Sequence, residues 1–184
     1  MKRLIDIALA LAALLVLSPV LLVAALAIAL ESGWPVLFRQ TRLGLNGHAF
    51  NMLKFRSMCQ DAAATGPYFT AANDARITRV GRFIRRTSVD ELPQLINVLR
   101  GDMSLVGPRP DVPAQRGLYS DIDWAQRCSV RPGITGLAQA LLRSEATEAQ
   151  RLALDLRYSR EASVWFDLKI MGLTVARLSG KASN

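Results

Sequence analysis

The chain has 184 residues, 51% of them hydrophobic, with a formal charge of +8 and a sequence pI near 10.3. That length suits one domain, and no segment recurs at a fixed period, which excludes a repeat array. A lone histidine, His48, excludes a histidine-rich metal site and argues against a Ser-His triad, while Cys59 and Cys128 lack CxxC or zinc-type spacing and read as free thiols.

Residues 4–30 are nearly all Ala, Leu, Ile or Val, interrupted by Asp6, Ser18 and Pro19. Lys2 and Arg3 resemble the start of a signal peptide, and Ala25-Leu26-Ala27 a cleavage site. The apolar run, however, is about twice the usual ~7–15 residues of such a core. As a helix it measures ~40 Å against a hydrocarbon core of ~30 Å, so it reads as a membrane anchor. Pro19 deprives the Leu15 carbonyl of its helical donor, and the Ser18 hydroxyl can turn back to cover it, which favours a bend over a break. Lys2 and Arg3 before the run, and Arg39, Arg42, Lys54 and Arg56 after it, pull both ends towards the cytoplasm. Neither half, 4–17 or 20–30, is long enough to span alone. A re-entrant hairpin bent at Ser18-Pro19 and a plain kinked span both remain open.

After an anchor at 1–31, residues 32–184 have the composition of a single globular domain. Segments 36–43 and 48–55 are strand-like, with Asn46-Gly47 between them as a hairpin signal. Residues 59–75 are small and polar around Gly66-Pro67, the mark of a mobile loop. Residues 79–86 mix Val80, Phe83 and Ile84 with four arginines and form a basic amphipathic helix. A second helix covers 92–99 and ends near Gly101. Gly107-Pro108-Arg109-Pro110 cannot be helical and sets an extended turn. Ser144, followed by Glu145 and Glu148, starts a helix to about Arg160, and 164–178 form a last apolar helix stopped by Gly180. The class is mostly α with a small β-hairpin.

The basic balance calls for an anionic partner, and its position beside an apolar N-terminus favours lipid headgroups and phosphorylated substrates over nucleic acid. Solvated charge combined with positive-inside topology is the plainer explanation.

Thr87-Ser88-Val89-Asp90-Glu91-Leu92-Pro93 is the most informative stretch. Ser88-x-x-Glu91 fits a capping box and Pro93 a first helical turn, which would place Asp90 and Glu91 at a helix N-terminus. Free N–H groups there favour carboxylates and phosphates alike, and acidic residues are common in that position simply as caps. The neighbours add chemistry. Arg85 and Arg86 precede the pair, and Arg109 is held between prolines; guanidinium forks match phosphate oxygens. Carboxylates among phosphates offer hard oxygen ligands to Mg²⁺. An aspartate can also attack phosphorus and form an acyl phosphate, dividing one transfer into two steps. Neither a Walker motif nor GxGxxG occurs.

The chain resembles the monotopic phosphoglycosyl transferases of the bacterial sugar transferase family. The likeness runs in order through Lys2-Arg3-x-x-Asp6, Ser18-Pro19, Phe38-x-Gln40-x-Arg42-x-Gly44 and Lys54-Phe55-Arg56-Ser57-Met58. It continues with Arg76-Ile77-Thr78-x-x-Gly81, Ser88-x-Asp90-Glu91-Leu92-Pro93-Gln94 and Asn97-Val98-Leu99-x-Gly101-Asp102-Met103-Ser104. Gly107-Pro108-Arg109-Pro110, Arg131-Pro132-Gly133-Ile134-Thr135-Gly136 and Trp165-Phe166-Asp167-Leu168 close it.

The resemblance implies transfer of a phosphosugar from a UDP-sugar to an enzyme carboxylate with loss of UMP. The phosphosugar then passes to undecaprenyl (polyprenyl) phosphate, the first membrane step of glycoconjugate assembly. Asp90 would be the nucleophile; Glu91 would assist, as a base towards the lipid phosphate or as a Mg²⁺-associated group. Asp90 and Glu91 would share the metal, Arg85 and Arg109 would hold phosphates, and Lys54 would lie near the site. The resemblance also implies a re-entrant helix-break-helix bent at Ser18 and Pro19. This would pack on a compact cytosolic catalytic domain with interfacial helices, at the cytoplasmic face of the bacterial inner membrane. The length is that of the short form of the family, without the extra membrane helices of larger relatives.

Two other classes compete. A membrane-anchored nucleic-acid-binding protein would show basic residues interleaved with exposed aromatics, and the chain has no such stripe. A non-catalytic scaffold would use Asp90 and Glu91 only as a helix cap. No motif reads out the donor sugar or an oligomeric state.

Overall fold

A computed structural model shows the fold and describes residues 1–60, 62, 74–142 and 147–178. It opens with helix α1, Lys2–Ser32, rich in leucine and alanine and uninterrupted across Pro19. The expected helix-break-helix is therefore corrected to one continuous helix. The Ser18 hydroxyl donates to the Leu15 carbonyl at 2.8 Å, covering the acceptor that Pro19 leaves without a backbone donor. By length and composition α1 could cross a membrane, with a mean hydropathy of 2.8 over its most apolar window.

Strands β1 (Leu37–Leu43) and β2 (Ala49–Phe55) form an antiparallel hairpin with Leu43 opposite Ala49 and Leu37 opposite Phe55. Its turn needs left-handed backbone at Asn46 (φ 55°) and Gly47 (φ 76°), the conformation that Asn-Gly supplies at low cost. Helix α2 (Arg79–Arg86) starts on Thr78, whose side chain accepts from the Gly81 N–H. A 3₁₀ turn, Val89–Glu91, leads into α3 (Gln94–Arg100), which ends on Gly101 at φ 99°. Strand β3 (Ser104–Val106) pairs in parallel with β4 (Gly133–Thr135). Between them lie a 3₁₀ segment, Pro113–Leu118, and α4 (Asp121–Arg127). Helices α5 (Leu137–Leu141), α6 (Glu148–Glu161) and α7 (Val164–Leu178) complete the chain.

Two expected helix starts are corrected. Ser88 is left-handed (φ 57°, ψ 15°) and makes no capping bond, so Asp90 and Glu91 sit in the 3₁₀ turn before α3, with Pro93 as its N-cap. Glu91 is drawn instead to two cations, described below. Helix α6 is capped by Thr147, in a reciprocal box with Gln150, and starts later than the sequence implied. Ser144 lies outside the described residues, as do Gly180 and most of the loop expected at 59–75.

The globular part grips α1 at both ends. Near its start, Lys2 pairs with Asp167 of α7, and Arg3 donates to the Leu99 carbonyl at 3.1 Å. The Asp6 carboxylate accepts from Ser104 Oγ at 2.9 Å. At its end, the Glu31 carboxylate accepts from the Arg79 and Val80 N–H groups at 2.8 and 2.9 Å, serving the free donors at the start of α2. Between these points Ala10 packs with Met52, Leu95, Val98 and Met103, while Ala24 and Ile28 pack with Phe55 and Ile84. The small alanines let α1 lie close along the domain. Its opposite face leaves Leu15, Val16, Leu22, Val23 and Leu30 exposed.

A third cluster joins Val106 to Leu137, Tyr158 and Ile170. Asn97, completely buried, ties α3 to β2: its Oδ1 accepts from the Leu53 N–H at 2.9 Å and its Nδ2 donates to the Asn51 carbonyl at 2.8 Å.

Candidate active site

The site forms where the hairpin, the 3₁₀ turn and the turn after β3 meet. Side chains alternate along a strand, and Lys54 stands opposite Phe38, so Lys54 shares a face with Gln40 and Arg42. The Asn97 tie fixes β2 to α3, and so holds Lys54 against the 3₁₀ turn that precedes that helix. Glu91 Oε1 accepts from Lys54 Nζ at 2.7 Å and from Arg109 Nη2 at 3.3 Å. Asp90, 9% exposed, takes part in no ion pair among the described residues.

These neighbours give the two carboxylates different characters. Burial raises Asp90 above its ordinary value, and the Glu91 charge raises it further, against the opposing influence of Lys54 and Arg85. Burial would raise Glu91 too, but Arg109 and Lys54 outweigh it and hold Glu91 below the usual range. Burial lowers Lys54, with the Glu91 charge opposing.

Arg109 is supported by groups to which the sequence reading gave no role in the site. Arg42 Nη1 donates to the Pro110 carbonyl at 2.9 Å, and Gln40 Oε1 braces Arg42 at 2.7 Å. Arg127 Nη2 donates to the Arg109 carbonyl at 2.6 Å, and Arg127 is itself paired with Asp111 and with Asp155. Backbone bonds complete the frame, from the Leu43 N–H to the Asp111 carbonyl at 2.9 Å and from the Gly107 N–H to the Thr135 carbonyl at 2.9 Å. A side chain at Gly107 would put its first carbon 2.2 Å from the Arg131 carbonyl oxygen, so only glycine fits this crossing. The signal that could have found Arg42 is its two-residue spacing from Gln40, on the face shared with Lys54. Nothing local marks Arg127.

The structure thus brings Lys54, Asp90, Glu91 and Arg109 together, with Arg85 acting on Asp90 from the end of α2. Ser18 and Pro19 lie on α1, apart from this cluster. Beyond Arg109 a cavity of about 790 Å³ opens, lined by Arg42, Arg127, Tyr119, Gln139 and Arg177 among others. Its charge and size suit a phosphorylated polar ligand. Among the described residues no set of three or more His, Cys, Asp or Glu side chains converges on one point. Two adjacent carboxylates do fit a magnesium ion that arrives on phosphates, because Mg²⁺ keeps most of its shell as water and substrate oxygens.

A family model described as bacterial sugar transferase matches residues 1–181. The chain is 49% identical to a UDP-glucose:undecaprenyl-phosphate glucose-1-phosphate transferase of Caulobacter vibrioides, across 96% of the chain and 69% of that protein. A protein of the same name from Escherichia coli is 48% identical across 95% of the chain, which spans only 39% of it. The exopolysaccharide production protein PSS of Rhizobium leguminosarum is 47% identical, with 97% of the chain and 96% of the relative aligned. With its motifs in order along nearly its whole length, the chain belongs to the bacterial sugar transferase family.

Proposed function

We propose that the protein transfers a sugar 1-phosphate from a UDP-sugar to undecaprenyl phosphate through a covalent phosphosugar on Asp90. One observation carries this reading: Asp90 keeps a carboxylate outside any ion pair among the described residues, beside a Glu91 whose two cations are placed to receive phosphate oxygens. In the first step an Asp90 oxygen attacks the sugar-bearing phosphorus, a new P–O bond forms, and the bond to the UMP oxygen breaks. UMP leaves with the electron pair. In the second step an oxygen of the lipid phosphate attacks the same phosphorus and Asp90 leaves as a carboxylate. Lys54 and Arg109 stabilise the charge that builds on the phosphoryl oxygens, and the frame around Pro110 keeps Arg109 in place. Glu91, held ionised, is a weak base, so its depressed pKa favours the role of holding the two cations. Arg85 lowers the pKa of Asp90 and so favours its attacking form. Asp90 and Glu91 would hold Mg²⁺, which neutralises the diphosphate when bound.

The relatives named for UDP-glucose make that donor the first to test. The grip on both ends of α1 supports a monotopic arrangement. Lys2 and Glu31 are both tied to the globular part, so both ends of α1 belong on one side of the bilayer, and the flanking basic residues favour the cytoplasmic side of a bacterial inner membrane. The membrane would then cover the exposed leucine and valine face of α1.

Incubation with UDP-glucose and Mg²⁺, without lipid, should release UMP and add one phosphohexose to the intact mass. Asp90→Asn should abolish both, a loss of at least about 10³-fold in turnover, with little change in thermal stability. Normal turnover in that variant would exclude Asp90 as the nucleophile. A panel of UDP-sugars separates a wrong donor from a wrong mechanism.

A further inference from the structure

An apolar cavity of about 570 Å³ opens between α1 and α2. Pro19, Val23 and Ala27 of α1 form one wall, Phe83 and Ile84 of α2 the other, and Val89 also lines it. Val23 and Phe83 both line it, with 66% and 57% of their surfaces exposed. The groove is continuous at Pro19 with the exposed apolar face of α1. Val89, which also lines the groove, is the residue before Asp90. Arg79 stands on its rim, and Arg85 acts on Asp90 from the end of α2. Its occupant should therefore be apolar along its length and anionic at the end nearest Asp90. Small Ala24 and Ala27 keep the space open. From Pro19 to Ala27 the helix rises about 12 Å, the extended length of roughly two to three isoprene units.

We infer that this groove seats the phosphate-proximal isoprene units of the lipid acceptor, with the phosphate beside Asp90 and the rest of the chain left in the bilayer. The inference rests on the transfer reading above. It makes the protein sensitive to the first isoprene units and indifferent to the remainder. The polar cavity is lined by Arg109 and the groove by Val89, and the two share no lining residue, so donor and acceptor are seated separately. Formation of the covalent intermediate then does not need the groove; its discharge does. In that discharge the prenyl phosphate oxygen forms a bond to phosphorus while the bond to Asp90 breaks. No proton has to be removed from an ionised phosphate.

The test uses the full chain in nanodiscs, with Ala27→Phe filling the groove and Val23→Phe narrowing it from the exposed wall. After loading with the donor, adduct mass is followed as undecaprenyl phosphate is added. Loading should proceed as in the unaltered protein, while discharge should slow about tenfold or more in Ala27→Phe, as expected from displacing one or two apolar contacts. In the unaltered protein farnesyl phosphate should discharge the adduct nearly as well as undecaprenyl phosphate, and dimethylallyl phosphate far more slowly. Unchanged discharge in both variants overturns the assignment. So does weakened vesicle binding with unchanged discharge, which would give the groove to bulk acyl chains. Retention of undecaprenyl phosphate, measured by native mass spectrometry without donor, decides independently of turnover. Equal retention by Ala27→Phe and the unaltered chain overturns the groove. Absence of any adduct with every donor, together with normal lipid retention, instead removes the transfer reading.

Discussion

The carboxylates of Asp90 and Glu91, adjacent in the chain, are displaced in opposite directions from their ordinary values. Burial and the Glu91 charge raise Asp90. Glu91, although burial alone would raise it too, is held down by Arg109 and Lys54. Two like residues in one 3₁₀ turn thereby acquire separate tasks, because among the described residues Glu91 is ion-paired and Asp90 is not.

This arrangement sets the pH profile. Asp90 must be deprotonated to attack, and its pKa lies above the ordinary 3.8, so kcat/KM should rise with pH through a midpoint above that value. Glu91→Gln removes the neighbouring negative charge and leaves Lys54 and Arg85 to act on Asp90 unopposed by it. The acid limb should then move to lower pH, even as the rate falls. On the alkaline side burial lowers Lys54 below 10.5, so activity should decline earlier than a free lysine would allow. An acid limb that stays put in Glu91→Gln would dissociate it from Asp90.

Arg109→Lys keeps the charge and loses the fork. The backbone at 109 and 110 is held by Arg127 and Arg42, so the shorter reach of lysine cannot be recovered by moving the turn. A charge-assisted bond of about 1–3 kcal/mol corresponds to a loss of roughly 5- to 150-fold in kcat/KM. If the bond strengthens in the transition state the loss falls on kcat; steady-state kinetics separates this from a uniform rise in KM. Wild-type rates with lysine would make Arg109 a turn residue only.

Elements whose cause is local were legible in the sequence. Asn46-Gly47 fixes the hairpin turn by its own backbone preference, and the alternating arginines and apolar residues of 79–86 match α2 residue for residue. The start of α3 was misread because Ser88-x-x-Glu91 satisfies a capping pattern, while Glu91 is claimed by Lys54 and Arg109, 37 and 18 residues away in the chain. Tertiary ion pairing overrode the local signal. Arg42, present in the family motif, was given no role in the site for the same reason: its bond to Pro110 spans 68 residues. Arg127 gains its meaning only when α4 folds against the turn after β3.

Asn97 shows how much of the site depends on one buried amide. Replacing it with leucine keeps the approximate size but leaves the Leu53 N–H and the Asn51 carbonyl without their partner. Each such group costs about 1–3 kcal/mol, so Asn97→Leu should lose about 2–6 kcal/mol. For a chain of this size that is a fall of roughly 4–24 °C in Tm. Asn97→Asp, which keeps the acceptor for Leu53 but sets a buried carboxylate against the Asn51 carbonyl and the Asp102 carboxylate, should lose at least as much. Scanning fluorimetry in detergent gives both values, and an unchanged Tm in the leucine variant would show that the tie between α3 and β2 contributes little.

The last prediction concerns which side of the bilayer holds the N-terminus. Ser18→Ala with Pro19→Ala removes the hydroxyl that covers Leu15 and a proline that disfavours a helix interior by about 3 kcal/mol. By length and composition α1 could span. Removing Ser18 and Pro19 alone, however, leaves the Lys2–Asp167 pair, the Arg3 bond to Leu99 and the Asp6 bond to Ser104, all of which hold the start of α1 to the globular part. The double variant should therefore keep an N-terminal tag protected in intact cells, like the unaltered protein. Adding Lys2→Ala, Arg3→Ala and Asp6→Ala removes both these anchors and the charges that favour the cytoplasm. That combination should expose the tag in a substantial fraction of molecules, read by labelling intact against permeabilised cells. External labelling of the unaltered protein would make α1 a plain span and end the monotopic reading. Exposure in the Ser18 and Pro19 variant alone would show that the bend, and not the polar anchors, returns the chain to its own side.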